Sequence, residues 1–214
     1  MTYSIVARCP RTGRLGVAVA TASVAVGARC PFATAGIGAV VTQNRTHPLI
    51  GPHALTLLEA GAWGDAAARQ AAGAFDFPEW RQVALIDASG RIGTYHGAMC
   101  SGVHAEARGE AAVSLGNLLS SAQVPEAALA GYQAATGTLE ERLLAGLAAG
   151  LAAGGEIKPL RSAALVVVDR DAFPYTHLRV DADANPLRKL EELWQQWQPV
   201  AETCRRWALD PDHA

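Results

Sequence analysis

TYSIVARCPRTGRLGVAVATAS, running from Thr2 to Ser23, consists of two apolar runs around a turn that carries Pro10 and Gly13. The pattern predicts a hairpin of two strands. Its first strand begins where the chain begins, and the first residue after Met1 is a threonine. Removal of Met1 would leave a hydroxyl beside a free α-amine, which together form a complete small catalytic unit. The amine serves as base for its own side-chain oxygen, so no histidine is required. An α-amine titrates near about 7.7–8.0, so a useful share is neutral at pH 7. Chain termini ordinarily fray, but a strand that follows at once, inside a buried sheet, would hold this one still.

The remaining composition narrows the class. The chain has 214 residues, 50% of them hydrophobic and 18% charged, with a net charge of −2. No composition break divides it, so a single domain is expected over residues 1–209, with 186–209 as its last helix and a loose tail from Asp210. The charge balance leaves no footprint for nucleic acid and no basic face for a membrane. The apolar runs are too short, and too broken by Gly and Arg, to span a bilayer. The start lacks the basic and apolar segments of a signal peptide, which places the protein in the cytoplasm as an expectation. Cys9, Cys30, Cys100 and Cys204 show no metal-ligand or disulfide spacing. The six histidines are equally scattered, and His104-Ala105-Glu106 is not a zinc motif. No metal, no cofactor and no glycine-rich phosphate loop is expected.

Downstream, Ile37 to Gln43 reads as a third strand, after a connection that ends in an extended piece at Pro31-Phe32-Ala33-Thr34. Two helices follow, one from Pro48 to Gly61 and one from an N-cap at Asp65 to about Ala74. Trp80–Asp87 and Arg91–His96 form a second hairpin around Ala88-Ser89-Gly90. A polar stretch leads to a strand at Ala111–Leu115 that ends in Gly116-Asn117. Helices are then expected at Val124–Ala135, with Pro125 in its first turn, and at Thr138–Ala153, where Thr138 and Glu141 make a capping box. Ser162–Asp169 is the most apolar strand and should be central; Tyr175–Val180 pairs with it. Pro186–Ala208 reads as one long helix with a stripe of Leu187, Leu190, Trp194, Trp197 and Val200. Strand pairs separated by helix pairs argue α+β rather than alternating βαβ. Two mainly antiparallel sheets packed together, with helices outside each, would bury everything: a four-layer αββα sandwich. The stripe on the last helix suits either core or the seam of a homo-oligomer.

This order of elements, with a strand starting at a terminal threonine, resembles the N-terminal nucleophile (Ntn) hydrolases. More specifically, T-Y-S-I-V-A-R at 2–8, L-G-V-A-V-A at 15–20, A-G-I-G-A-V-V-T-Q at 35–43, R-Q-V-A-L-I-D-A-S-G-R at 81–91 and G-N-L-L at 116–119 are similar to the domain-of-unknown-function 1028 family. The resemblance extends to about Val180 and implies the Ntn fold. By analogy it makes Thr2 the nucleophile of a hydrolase acting on a small amide-like C–N bond other than a peptide bond. Asn117 and Gln43 become candidate oxyanion donors. Thr21 would bond the amine, Asn44 ends the same strand as Gln43, and Ser4 shares the sheet face of Thr2. Arg81 would bind a substrate carboxylate, and Ser162 is a further hydroxyl at a strand start. Lys158 and Lys189 are the only lysines, and a lysine that would lower the pKa of the nucleophile is not evident. The alternative is a catalytically silent protein of the same fold that binds a small metabolite or a partner. A weaker one makes Ser4 or Cys100 the nucleophile.

Overall fold

The hairpin forms as the sequence predicts. In the computed structural model, which describes residues 1–213, β1 (Thr2–Arg8) and β2 (Leu15–Thr21) pair antiparallel from Tyr3 opposite Ala20 to Arg8 opposite Leu15. Next come β3 (Pro31–Thr34), β4 (Gly38–Asn44), α1 (Ile50–Glu59), α2 (Gly64–Gly73), β5 (Arg81–Asp87) and β6 (Ile92–His96). They are followed by β7 (Ala105–Gly109), β8 (Ala112–Asn117), α3 (Val124–Ala134), α4 (Leu139–Ala152), β9 (Ser162–Val168) and β10 (Thr176–Val180). The last helices are α5 (Pro186–Trp197) and α6 (Ala201–Leu209). The strands form two antiparallel sheets, one in the order β10-β9-β2-β1-β8-β7 and one in the order β3-β4-β5-β6.

Alternation along β1 explains how the sheets stack. Tyr3, Ile5 and Ala7 join Val124 and Ala128 of α3 and Leu143 and Leu147 of α4 in one core. Val6, with Val17 and Val19 of β2, meets Ala39, Val41, Ala84 and Ile86 of the other sheet in a second core. On that sheet's opposite face, Val40, Val83 and Leu85 pack on Ala54 of α1 and Ala68 of α2. β1 is thus covered on both faces, which is why it reads as a nearly unbroken apolar run. Each large apolar side chain buried there contributes about 1.5–3 kcal/mol. Tyr3 adds a donor to the Leu147 carbonyl at 2.8 Å. The start of the chain is therefore clamped, not frayed.

Several local expectations change. The single helix from Pro186 divides into α5 and α6 around Gln198-Pro199-Val200. Pro199 has no N–H for the preceding turn, and its ring clashes with that turn's carbonyl. Leu190 and Trp194 of the stripe are buried in the chain's own core. Asp65 does not cap α2; it lies in the first turn and accepts from the Thr94 N–H at 2.8 Å and from Arg108 at 2.9 Å. The polar stretch also holds β7, whose Ala105 and Ala107 pack on the first core while Glu106 and Arg108 alternate with them; it is an edge strand, where charged residues discourage further pairing. The tail carries a 3-10 turn at Pro211–His213, and Ala214 lies outside the described residues. The capping box on α4 is present, with Thr138 accepting from the Glu141 N–H at 3.3 Å and Glu141 from the Thr138 N–H at 2.8 Å. Among the described residues no helix is long and apolar enough to cross a membrane.

Candidate active site

At one end of the larger sheet, cross-strand partners form a single polar row. Thr2 stands opposite Asn117 of β8, and Thr21 of β2 stands opposite Ser162 of β9. Antiparallel partners share a face, and this row continues the positions occupied by Val6, Val19 and Leu115, which face the second sheet. The facing sheet presents a matching row, Gln43 of β4, Gln82 of β5 and His96 of β6, again in register. The two sheets therefore meet through apolar residues over most of their area and through polar ones at this end.

Hydrogen bonds tie the rows together. Ser4 donates to Gln43 Oε1 at 2.9 Å, Gln43 Nε2 to Gln82 Oε1 at 2.7 Å, and Asn117 Nδ2 to the same oxygen at 2.9 Å. Gln82 Nε2 donates to the Gly116 carbonyl at 2.9 Å and lies 3.0 Å from His96 Nδ1. With a donor facing it, Nδ1 must accept, so the proton of a neutral His96 sits on Nε2, 2.9 Å from Glu106 Oε2. Burial pushes the Glu106 carboxyl up, but hydrogen bonds from His96, Thr94 and Arg108 outweigh it and hold the group at about 2. Gln82 is thus fully satisfied and organises the junction. Neither Gln82 nor His96 was singled out from the sequence. The available signal is Gln82 continuing the apolar alternation of Ala84 and Ile86, as Gln43 does for Ala39 and Val41.

Thr2 is only 5% exposed. Its Oγ1 lies 3.4 Å from Thr21 Oγ1, and both hydroxyls donate to the Met1 carbonyl oxygen. Burial lowers the titration of the Met1 ammonium, while Glu156 and the thiols of Cys30 and Cys100 oppose that shift. Glu156, 7% exposed, accepts from the Ala22 N–H at 3.0 Å through Oε2. Burial raises its carboxyl to about 7, against the pull of that N–H and of the terminal ammonium. Glu156, like Gln82 and His96, is not a residue that the sequence marks. Nothing in Gly154-Gly155-Glu156 signals burial, and the acid reaches the site only because both glycines adopt left-handed φ, 110° and 55°.

The remaining candidates separate. Asn117 Nδ2 is already committed to Gln82, and the buried atom left without a partner is its acceptor Oδ1. Ser162 Oγ donates to the Ser23 carbonyl at 2.7 Å and accepts from the Val26 N–H at 3.1 Å, so it anchors the connection after β2. Arg81 and Asn44 alternate with Gln82 and Gln43 and so point to the helix side of the smaller sheet. There Arg81 donates to the carbonyls of Arg45 and Asp76, and Asn44 to the Trp80 carbonyl at 2.6 Å. Burial pushes the Cys100 thiol up to about 11 and that of Cys30 to about 12, leaving both protonated at neutral pH. Among the described residues no group of three or more His, Cys, Asp and Glu is placed to hold a metal ion. A cavity of about 550 Å³ between α4 and α5, lined by Leu144, Leu151, Leu187 and Trp194, contains none of these polar groups.

Among the described residues, two antiparallel sheets and six α-helices define a mixed α+β protein. The chain matches, over residues 2–190, the model of a family of unknown function (DUF1028). It belongs to that family. The crystal structure of protein SPO2555 from Silicibacter pomeroyi, assigned to the same family model, is 30% identical with a TM-score of 0.85, covering 92% of this chain and 88% of that one. Anbu (ancestral beta-subunit) from Yersinia bercovieri matches at 10% identity and a TM-score of 0.43, covering 91% of this chain and 93% of its own. An Anbu (Gly-1) mutant from Hyphomicrobium sp. strain MC1 matches at 14% and 0.41, covering 95% and 97%. These last two likenesses are too weak to bear on function. No curated protein matches the chain in sequence.

Proposed function

We propose that this chain is an Ntn-type amidohydrolase on a four-layer αββα frame, with Thr2 as nucleophile once Met1 is removed. Its substrate is a small molecule with an amide-like C–N bond that is not a peptide bond. The observation that carries the reading is the convergence of the Thr2 and Thr21 hydroxyls on one carbonyl oxygen at a clamped strand start. That oxygen belongs to Met1, on the peptide bond that blocks the Thr2 amine. Departure of Met1 would release both hydroxyls and the amine together.

The chemistry then follows from the residues. Thr2 Oγ1 attacks the carbonyl carbon, and its proton passes to the Thr2 α-amine. Charge develops on the carbonyl oxygen, and a pre-placed donor stabilises it. Thr21 Oγ1, whose proton is released when Met1 departs, is available for that task, whereas the Asn117 N–H is already spent on Gln82. The resulting ammonium protonates the leaving nitrogen as the C–N bond breaks, leaving an ester on Oγ1. Water, deprotonated by the same amine, hydrolyses the ester and restores the hydroxyl. No cofactor enters the scheme. A homo-oligomeric state is part of the proposal and is read directly by sedimentation.

The mass of the mature protein from its native host, followed by a screen of small amides, ureas and lactams, tests the reading. Loss of Met1 and turnover that disappears in Thr2→Ala are expected. Retention of Met1 would leave Thr2 without its base and favour a silent binding protein on the same frame.

A further inference from the structure

Glu156 is tied to the two strands that flank β1. Its backbone bridges to Leu119, two residues past the end of β8. Its Oε2 accepts from Ala22, one residue past the end of β2. β1 lies between β2 and β8, and the ends of both neighbours stand beside its first residue, Thr2. The side chain of Glu156 therefore crosses the N-terminal end of β1. A second observation is independent of this topology: Glu156 Oε1 is buried and has no hydrogen-bond partner. A buried carboxylate oxygen without a donor is costly, and loss of Met1 would create an amine donor at this same end of the sheet, where Asn117 Oδ1 is the other unpartnered, but uncharged, acceptor.

We propose that Glu156 is the positioning residue for the α-amine of Thr2, with Oε1 accepting an amine N–H and turning the nitrogen lone pair toward Oγ1. The inference rests on the reading of Thr2 as a processed N-terminal nucleophile. Ala22 fixes one carboxylate oxygen, so the other has one direction in which to accept. The other titratable groups near this pair are the Cys30 and Cys100 thiols and the Tyr3 phenol, which burial and Glu156 both raise. All three stay neutral at working pH, so the carboxylate is the one charge that answers the ammonium.

The test uses Met-processed protein whose N-terminus is verified by mass. The rate at which cyanate carbamylates the Thr2 amine is followed against pH in the wild type, Glu156→Gln and Glu156→Asp. Without the carboxylate charge the amine releases its proton at lower pH. Glu156→Gln should therefore react several-fold faster near pH 7, about tenfold for each unit of displacement, and Glu156→Asp should stay near the wild type. Identical profiles in the wild type and Glu156→Gln would overturn the assignment. Should Glu156→Gln fail to fold, a wild-type NMR titration decides. Two linked steps seen at both the amine and the Glu156 carboxyl support the pair, and two independent single curves refute it. Where a turned-over amide is in hand, Glu156→Gln should lower kcat at least tenfold with little change in KM. A wild type that turns over nothing counts against the hydrolase reading alone, because the amine titration is read without a substrate.

Discussion

Asn117 on the larger sheet donates its side-chain N–H to Gln82 on the smaller one at 2.9 Å, and this bond closes the polar end of an otherwise apolar junction. Gln82 simultaneously serves Gln43, Gly116 and His96. The two sheets are thus locked at the edge where Thr2 sits, and the precision of the candidate site depends on that lock.

Replacing Gln82 with leucine leaves Gln43 Nε2 and Asn117 Nδ2 without their shared acceptor. Each orphaned buried group costs about 1–3 kcal/mol. A loss of about 3 kcal/mol is expected, or roughly 6–12 °C in Tm for a domain of this size, measured by thermal unfolding. An unchanged Tm would show that the two sheets do not depend on this junction.

Thr2→Ala removes the nucleophile but little packing, since the 3.4 Å approach to Thr21 is a weak contact. Turnover should fall by more than about 10³-fold, while stability changes by about 1 kcal/mol or less. Single-turnover kinetics beside a denaturant melt separate the two. Activity that survives takes Thr2 out of the mechanism.

Arg81→Ala reads the other way. Arg81 holds the carbonyls of Arg45 and Asp76 on the side of β5 away from Thr2. Stability should drop by about 2 kcal/mol with KM for any amide substrate unchanged. A raised KM would return Arg81 to the substrate site.

The raised carboxyl of Glu156 makes stability depend on pH in the protein that retains Met1. Its folded value is about 7 against an ordinary 4.5. Between those values the folded state holds the proton and the unfolded state has released it, so unfolding free energy falls as pH rises. Relative to Glu156→Gln, the wild type should lose on the order of 2–3 kcal/mol from pH 4.5 to pH 7, with the loss levelling off about one pH unit higher. Urea unfolding of both proteins across this range checks the sign, and a difference that grows in the wild type's favour with rising pH contradicts it.

Local signals mark the elements of this chain most clearly where they act over a few residues. Alternation from Thr2 to Thr21, Pro125 at the start of α3 and the Thr138–Glu141 box on α4 each act within a few residues, so the chain displays them directly. Such signals are missing where a partner decides. β7 is a strand because β8 offers it a ladder, although its own Ala, Glu and Gly residues are depleted in strands. Thr2, Thr21 and Gln43 are legible as polar groups at strand ends and Ser4 as a neighbour on the face of Thr2, and all four share the inter-sheet face. Arg81 and Asn44, adjacent in sequence to Gln82 and Gln43, fall on the opposite face because side chains alternate along a strand.

By itself the amino-acid order determined the hairpin that opens the chain, the α+β class and the threonine that follows Met1, because periodicity and caps are properties of neighbouring residues. Only the tertiary structure decided that Glu156, from a loop 154 positions later, stands at the start of β1, and that Gln82 fastens one sheet to the other. Those arrangements join residues far apart in the chain, and packing of the two sheets, not local preference, selects them.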